Sequence, residues 1–263
     1  MELLKSRSND KIKLAVSLRE SAAKRRGLDL FFLEGVRLCA DAAESGTKIA
    51  ASFFTGKAMD KNPAQVTEIA GKSDSSYLIT EELSRFLSDT VMPQGVFCLC
   101  KTLDKVKSCN KIDSGGKYLA LEKIQNPDNL GAVCRAAEAM GLTGLIVSAG
   151  CDVYNPKAQR AAMGSLLRMP IIETDDLGAL LAKAAADGML TLASTSDRVA
   201  ERITDVPMDG GVICVLGNEG AGVTKETAEL CRRSVTIPMR GRAESLNVAA
   251  AAAIISWEMT RGN

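Results

Sequence analysis

The sequence predicts an α/β protein in two parts: a small N-terminal α/β domain and a C-terminal domain with a mostly parallel sheet. Short apolar runs alternate along the chain with amphipathic segments of helical length. In the second half these runs lack polar alternation, which is typical of strands buried on both faces of a parallel sheet. The 263 residues are 46% hydrophobic and 25% charged, as in globular domains and unlike disordered chains or coiled coils.

The first part opens with a predicted helix over residues 10–25, whose apolar residues lie roughly on one side and which Gly27 ends. Strands are then expected at 30–33, 50–54, 77–79 and 96–100. Helices are expected at 35–45, from Pro63 onward, and at 81–87.

A polar stretch at 102–117 ends in Gly115-Gly116 and has the composition of a linker. It sets the expected domains as residues 1–108, a linker at 109–117, and a second domain at 118–263. Strands of the second domain are expected at 118–121, 145–147, 190–193, 212–216 and 235–237.

The chain contains no histidine, which excludes Ser-His-Asp and Cys-His nucleophile arrangements and HExxH metal sites. Its eight cysteines form no CxxC pair, so a zinc site is not expected either. A reduced cytoplasmic protein is the simplest interpretation of such scattered cysteines. No run of about 20 apolar residues predicts a membrane span, and the first residues do not resemble a secretory signal.

Charge is distributed unevenly between the two parts. Residues 1–108 hold 17 basic and 14 acidic side chains, whereas residues 109–263 hold 16 and 18. Residues 1–26 alone hold 8 basic and 3 acidic side chains. A basic leading segment can attract phosphate backbones, although a solvated helix face has the same composition.

Three segments follow predicted strands, where ligands of open α/β sheets bind. The first, residues 126–137, places Asp128 or Asn129 as a helix cap behind Pro127. Gly131 lies one turn before Arg135, which leaves room for the guanidinium and a ligand beside it. Close helix packing over Gly131, with Arg135 in an ordinary ion pair, is the alternative.

The second segment, residues 215–223, runs from an apolar strand into a loop with three glycines around Glu219. Its order is GxxGxG, which differs from the dinucleotide and P-loop patterns. The glycines allow close backbone approach, and Glu219 could meet a cation or a hydroxyl. A simple glycine-rich turn remains the alternative.

The third segment, residues 237–248, precedes an alanine-rich stretch at 249–253. Ser245 is expected to cap a final helix that runs to about Thr260, with Asn247 in its first turn. Helix propensity explains the alanines, but it does not explain Ser245, Asn247 and two arginines ahead of the helix.

Together the three segments resemble the signature motifs of the SpoU/TrmH branch of the SPOUT RNA methyltransferases. The motifs are NxGxxxR, LGxExxG and IPMxGxxxSLNV, and all three occur here in the family's order. Asn126 and Ala249 stand where the family often has Asp and Ser. Residues 1–108 resemble, less specifically, the ribosomal-protein-like RNA-binding domain that precedes the catalytic domain in many members.

The resemblance implies a C-terminal domain with a deep trefoil knot, which binds S-adenosylmethionine and methylates a ribose 2′-hydroxyl of RNA, ribosomal RNA rather than transfer RNA. It also implies a homodimer, without metal and without membrane attachment. The family's catalytic or site-forming roles carry over to Asn129, Arg135, Glu219, Ser245 and Asn247. Its cofactor-binding positions correspond to Thr195, Gly217, Asn218, Gly220, Ile237, Met239 and Leu246.

A guanidinium stays protonated at neutral pH, so Arg135 is expected to grip a phosphate or stabilise the forming oxyanion rather than accept a proton. Glu219 is the other candidate for handling the proton. The competing hypothesis of a different class is a catalytically silent RNA-binding or ribosome-associated factor with the same fold. An unrelated nucleotide-binding α/β enzyme is disfavoured by the absence of phosphate-loop patterns.

Overall fold

The computed structural model of the chain describes residues 1–103, 106–107 and 112–261. They form two compact units, each with its own sheet. The first unit contains Met1–Leu103 together with Asp152–Arg168, and the second contains the remaining described residues. Residue 108, where the first domain was predicted to end, and the start of the predicted linker 109–117 lie outside the described residues.

The elements before residue 103 include all four predicted strands. In chain order the elements are β1 (Glu2–Leu4), α1 (Asp10–Glu20), α2 (Ala22–Leu28), β2 (Leu30–Glu34), α3 (Val36–Glu44), β3 (Ile49–Thr55), α4 (Gly56–Lys61), α5 (Pro63–Gly71), β4 (Ser76–Ile79), α6 (Glu81–Leu87) and β5 (Val96–Lys101). Of these, β1 and α4 are additional elements that the sequence did not predict.

The remaining elements begin with a two-residue strand. They are β6 (Val106–Lys107), β7 (Lys117–Ile124), α7 (Pro127–Ala139), β8 (Gly144–Gly150), α8 (Pro156–Ala162), α9 (Ser165–Arg168), β9 (Ile171–Thr174), α10 (Leu177–Ala186), β10 (Leu190–Ser194), β11 (Glu201–Arg202), β12 (Val212–Leu216), α11 (Lys225–Leu230), β13 (Arg233–Thr236) and α12 (Val248–Thr260).

The first helix was predicted as one segment over 10–25, and that prediction is wrong. Ser21 is extended, with φ −120° and ψ 115°, and separates α1 from α2. Its side chain accepts a hydrogen bond from the Lys24 amide, so the serine caps the second helix instead of continuing the first. Gly27 lies inside α2, which ends at Asp29 in the left-handed conformation.

The first unit has the strand order β1-β4-β3-β5-β2. The strands β1, β4 and β3 are parallel, and β5 runs antiparallel between β3 and β2. Phe32, Phe53 and Phe97 form the centre of its core and are fully buried. Burying each such side chain contributes about 1.5–3 kcal/mol to folding.

The segment 152–168 lies within the predicted range 118–263 but packs with the first unit. Arg25 and Asp152 form a buried ion pair of 2.7 Å, and the rings of Phe31 and Tyr154 pack at a tilt of 35° with their centroids 4.7 Å apart. Arg160 donates to Asp89 over 2.7 Å. These contacts join residues far apart in the chain, which local patterns cannot reveal.

The second unit has the strand order β11-β13-β10-β12-β7-β8-β9-β6, and every neighbouring pair is parallel. All five residues of β12 are buried, as expected for a strand covered on both faces. The predicted α/β class with a mostly parallel C-terminal sheet is confirmed. The trefoil knot stays a prediction.

The order of the parallel strands has a consequence for ligand binding. The chain passes from β7 through β8 to β9 on one side and then continues with β10 and β12 on the other. The direction of winding therefore reverses between β7 and β12, and such a switch point leaves a crevice at the carboxyl ends of the strands. Among the helices of the described ranges, none is long and apolar enough to cross a membrane.

Candidate active site

A cavity of about 1020 Å³ opens at the carboxyl ends of the central strands of the second unit. Its walls come from the loops that follow β7, β10, β12 and β13, and from the start of α12. All three predicted motifs supply residues to the walls. The cavity thus lies beside the switch point between β7 and β12, and its size suits a cofactor-sized ligand.

The loop after β12 is folded tightly on itself. A Cβ atom on Gly217 would lie 1.9 Å from the carbonyl carbon of Gly222, so only glycine fits at this position. Asn218 Oδ1 accepts from the amides of Gly220 and Ala221 at 2.9 and 3.2 Å. These contacts hold the backbone of the loop at the cavity wall.

Glu219 extends from this loop to the start of α7. Its Oε1 accepts from the Asn126 amide at 3.2 Å and from Asn129 Nδ2 at 3.0 Å, and its Oε2 accepts from the Gln125 amide at 3.4 Å. Asn247 Nδ2 in turn donates to Asn129 Oδ1 at 3.1 Å. One residue from each motif therefore joins a single chain of hydrogen bonds.

Hydrogen bonding decides the charge of Glu219. Burial raises the pKa of this carboxyl, but the bonds from Asn129 and from the backbone amides outweigh burial and hold the pKa below the ordinary glutamate value. Glu219 is thus ionised at neutral pH with several acceptor positions occupied. A carboxylate in that state orients its donors and is a weak base for a ribose hydroxyl.

Both helix caps at the site differ from the prediction. The cap of α7 is Asn126, whose side chain accepts from the Asp128 amide, rather than Asp128 or Asn129. The cap of α12 is Asn247, which accepts from the Ala249 amide at 2.9 Å, rather than Ser245. Because Val248 is buried as the first residue of α12, packing sets the start of that helix. Ser245 is exposed at the cavity wall.

The positions expected to hold the cofactor all contribute to the cavity wall. They are Thr195, Gly217, Asn218, Gly220, Ile237, Met239 and Leu246. The wall combines apolar side chains with polar loop groups, which matches a ligand such as S-adenosylmethionine that carries both an aromatic base and charged ends. The roles of the individual residues remain predictions.

Arg135 lies apart from the other predicted catalytic residues. It is exposed on α7, six residues or about 9 Å along the helix from Asn129, and does not contribute to the cavity wall. Within the described ranges its side chain makes no hydrogen bond or ion pair. Gly131 is buried in α7, and α7 packs against α12.

Sequence reasoning did not single out several residues of the wall. Asp197 and Glu244 add two carboxylates, and Ser196 adds a hydroxyl. Asp197 Oδ1 accepts from the Val199 amide at 3.0 Å and thereby shapes the loop after β10. Their position after parallel strands was the available signal, but these residue types are too common in loops to be distinctive. In the described ranges, no group of three His, Cys, Asp or Glu residues is placed to hold a metal ion.

Comparison with known proteins identifies the family that the three sequence motifs resemble. Residues 116–257 match the SpoU rRNA Methylase family, and residues 9–98 match the MRM3-like substrate binding domain. An uncharacterized tRNA/rRNA methyltransferase of Synechocystis is 30% identical over 257 residues, which are 97% of this chain and 92% of that protein.

Two further relatives span nearly the whole chain. The 23S rRNA (guanosine(2553)-2′-O)-methyltransferase RlmP of Bacillus subtilis is 26% identical over 98% of this chain and 99% of its own. The crystal structure of an AdoMet-bound rRNA methyltransferase from Sinorhizobium meliloti superimposes with a TM-score of 0.84 at 25% identity, covering 99% and 97% of the two chains. With its three motifs assembled around one cavity, the chain belongs to the SpoU rRNA methylase family.

Proposed function

We propose that this protein transfers a methyl group from S-adenosylmethionine to a ribose 2′-hydroxyl of ribosomal RNA. The observation that carries the proposal is the hydrogen-bonded chain Glu219–Asn129–Asn247 at the wall of the switch-point cavity. The names of the relatives, several of which act on 23S rRNA, support ribosomal RNA as the substrate class.

Bound S-adenosylmethionine supplies an electrophilic methyl group on a sulfonium. Leu216, Ile237 and Leu246 offer the apolar wall that excludes water, and Gly217 permits the backbone of its loop to approach closely. Exclusion of water and alignment favour an in-line displacement, because the charge of the cation is lost during transfer.

Asn129 is the group best placed to orient the reacting hydroxyl. Its side chain is held from both sides, by the Glu219 carboxylate and by the Asn247 amide. A side chain fixed in this way needs no reorganisation when the substrate arrives. We assign Ser245 and Asn247 to the same orienting role, and Glu219 to fixing the donors rather than to accepting the proton.

Arg135 completes the mechanism if a second copy of the chain supplies it. Because Arg135 lies outside the wall of its own cavity, we infer that it reaches the cavity of the partner in a homodimer. There it would grip the phosphate beside the target ribose or stabilise the developing oxyanion. The exposed face of α12, with Trp257 56% and Ile254 38% accessible, is apolar enough to form such an interface.

The oligomeric state tests this part of the proposal. Light scattering should give the mass of a dimer for the full chain and of a monomer for Trp257→Glu. Met92→Glu is the matched control, because Met92 is an exposed apolar residue of the first unit, 85% accessible. A monomeric native chain would refute the dimer and the role of Arg135 in trans.

The first unit is assigned to RNA binding, in keeping with its match to a substrate-binding domain and its positive charge. A ribosomal RNA substrate places the protein where ribosomes are made, so the expected cytoplasmic location belongs to the proposal. We also propose that methyl transfer needs no metal ion.

Two measurements test the proposed activity. Calorimetry with S-adenosylmethionine in excess chelator should show binding, whereas a catalytically silent RNA-binding factor would show none. Mapping of 2′-O-methyl groups in ribosomal RNA from cells with and without the protein should then reveal one position that depends on it. An unchanged map together with absent cofactor binding would overturn the proposal.

A further inference from the structure

A second carboxylate lies beneath the cavity and takes no part in lining it. Glu122 is the last residue of the buried run of β7 and is only 6% accessible. Three donors converge on it: the Thr224 amide at 2.8 Å, Thr224 Oγ1 at 2.8 Å and Thr227 Oγ1 at 2.6 Å. The two Thr224 donors come from the far end of the glycine loop that begins at Gly217, and the Thr227 hydroxyl comes from the first turn of α11.

The backbone beside Glu122 is shaped for the same contact. Lys123 has φ +56°, in the left-handed region that non-glycine residues rarely adopt. In this conformation the carbonyl of Lys123 accepts from Asn218 Nδ2 at 3.0 Å. Strain of this kind persists only where surrounding contacts maintain it, and the contact made by the Lys123 carbonyl comes from the glycine loop.

Two carboxylates, one from each segment, link the end of β7 to the glycine loop. Glu122, near the end of β7, accepts from Thr224 and Thr227, while Glu219, from the glycine loop, accepts from Asn126 and Asn129, which follow β7. The glycine loop is therefore held at both ends, near Asn218 and at Thr224. Gly220 and Val223 between these anchors, and Gly217 just before the first anchor, belong to the cavity wall.

The charge of Glu122 makes the contact specific. Burial raises its pKa, but the hydrogen bonds from Thr227 and Thr224 outweigh burial, and the pKa is lowered. A buried carboxylate is stable only while its acceptor positions are filled, so moving the loop away would leave a charge unpaired. The loop consequently has one favoured position.

We propose that Glu122 is a positioning residue, which sets the backbone of residues 217–223 for cofactor binding through Thr224 and Thr227. This inference rests on the proposed function, since it assumes that S-adenosylmethionine occupies the cavity. Glu122 itself touches neither the cofactor nor the reacting atoms.

The proposal is tested by a pair of substitutions at Thr227, a buried residue whose hydroxyl reaches Glu122. Thr227→Val keeps the shape and removes the donor, whereas Thr227→Ser keeps the donor and removes a buried methyl group. Loss of a bond to a charged group predicts about a tenfold increase in the Kd of S-adenosylmethionine for Thr227→Val, with Thr227→Ser near the native value. A role in packing alone predicts that Thr227→Ser is affected at least as strongly.

Glu122→Gln extends the test, because its amide group turns one acceptor into a donor that faces other donors. Calorimetry should show weaker cofactor binding, and the circular dichroism spectrum should match that of the native protein, which reports an intact fold. KM for the cofactor should rise more than kcat falls. Native cofactor affinity in both Glu122→Gln and Thr227→Val would overturn the inference. Failure of the native protein to bind S-adenosylmethionine would instead overturn the proposed function.

Discussion

The side-chain amide of Asn129 donates to Glu219 Oε1 over 3.0 Å, and this bond joins the start of α7 to the loop after β12. The two residues are 90 positions apart in sequence and belong to different motifs. Since Asn247 also binds Asn129, the amide has one orientation in which both partners are satisfied.

Asn129→Asp is expected to abolish most of the activity while preserving the size of the side chain. The aspartate can still accept from Asn247, but it presents a second carboxylate to Glu219 in place of a donor. Misorientation of the site should lower the single-turnover methylation rate by about 100-fold or more. Asp128→Asn is the control, because it changes charge at the neighbouring exposed residue outside the cavity wall. Equal rates for the two variants would contradict the orienting role of Asn129.

The pH dependence of the enzyme should carry no titration of Glu219 near neutrality. Its pKa in the folded protein is lowered from the ordinary value of 4.5, so its contribution to stability is fully present above that value. The contribution is lost as the pH falls through the lowered pKa. The methylation rate should therefore show no step from Glu219 between about pH 6 and 8.

Thermal unfolding provides the corresponding stability measurement. The native protein should be more stable than Glu219→Gln at pH 7, and the difference should shrink below pH 4.5. Glu226→Gln removes an exposed carboxylate from the first turn of α11 and serves as the control. If the stability difference between the native protein and Glu219→Gln grows in acid, the pKa of Glu219 is raised and not lowered.

Gly217→Ala should disrupt the cavity by a purely steric mechanism. The added methyl group would lie 1.9 Å from the carbonyl carbon of Gly222, so the glycine loop must move. Overpacking of this kind costs about 1–3 kcal/mol, and calorimetry should show at least about a tenfold weaker affinity for S-adenosylmethionine. Gly27→Ala adds the same group in open space, in α2 of the first unit, and should bind normally. Normal binding by Gly217→Ala would show that the loop adapts.

The family, the enzyme class and the cofactor were predicted by the resemblance of the three motifs to the SpoU/TrmH family. The position of each motif after a strand predicted only that their loops meet at one edge of the parallel sheet. The caps could not be assigned, because Ser245 and Asn247 are equally good capping residues and the packing of Val248 decides between them. The grouping of residues 152–168 depends on Arg25 and Asp152, which are 127 positions apart. The same contact changes the interpretation of the basic leading segment, where Arg25 was counted among the groups that attract RNA.

Arg25→Ala is therefore expected to destabilise the first unit, whereas Lys24 and Arg26 are exposed and free to meet RNA. Arg25 and Asp152 are 3% and 11% accessible, and breaking a buried pair costs about 3–5 kcal/mol. Denaturant unfolding should show this loss of unfolding free energy for Arg25→Ala and none for Arg26→Ala.

The double variant Lys24→Glu with Arg26→Glu should weaken RNA binding and flatten its salt dependence. Normal RNA binding by that double variant would leave the basic segment as a solvated helix face.

Arg135→Lys should retain RNA binding and lose methylation. Lysine preserves the charge, but it lacks the planar fork that can hold a phosphate and an oxyanion together. If Arg135 acts on the transition state, the loss is on the order of 100-fold or more. A methylation rate near that of the native protein would mean that Arg135 contributes only its positive charge.

The subunit in which Arg135 acts can be determined by combining two inactive chains. In a dimer that pairs Arg135→Lys with Asn129→Asp, the chain carrying lysine has an intact cavity, and its partner has an intact Arg135. If the arginine acts across the interface, one of the two sites of each mixed dimer works. Random pairing then predicts about one quarter of the native activity for an equal co-expressed mixture. If the arginine acts within its own chain, every site contains one defect and the mixture stays inactive.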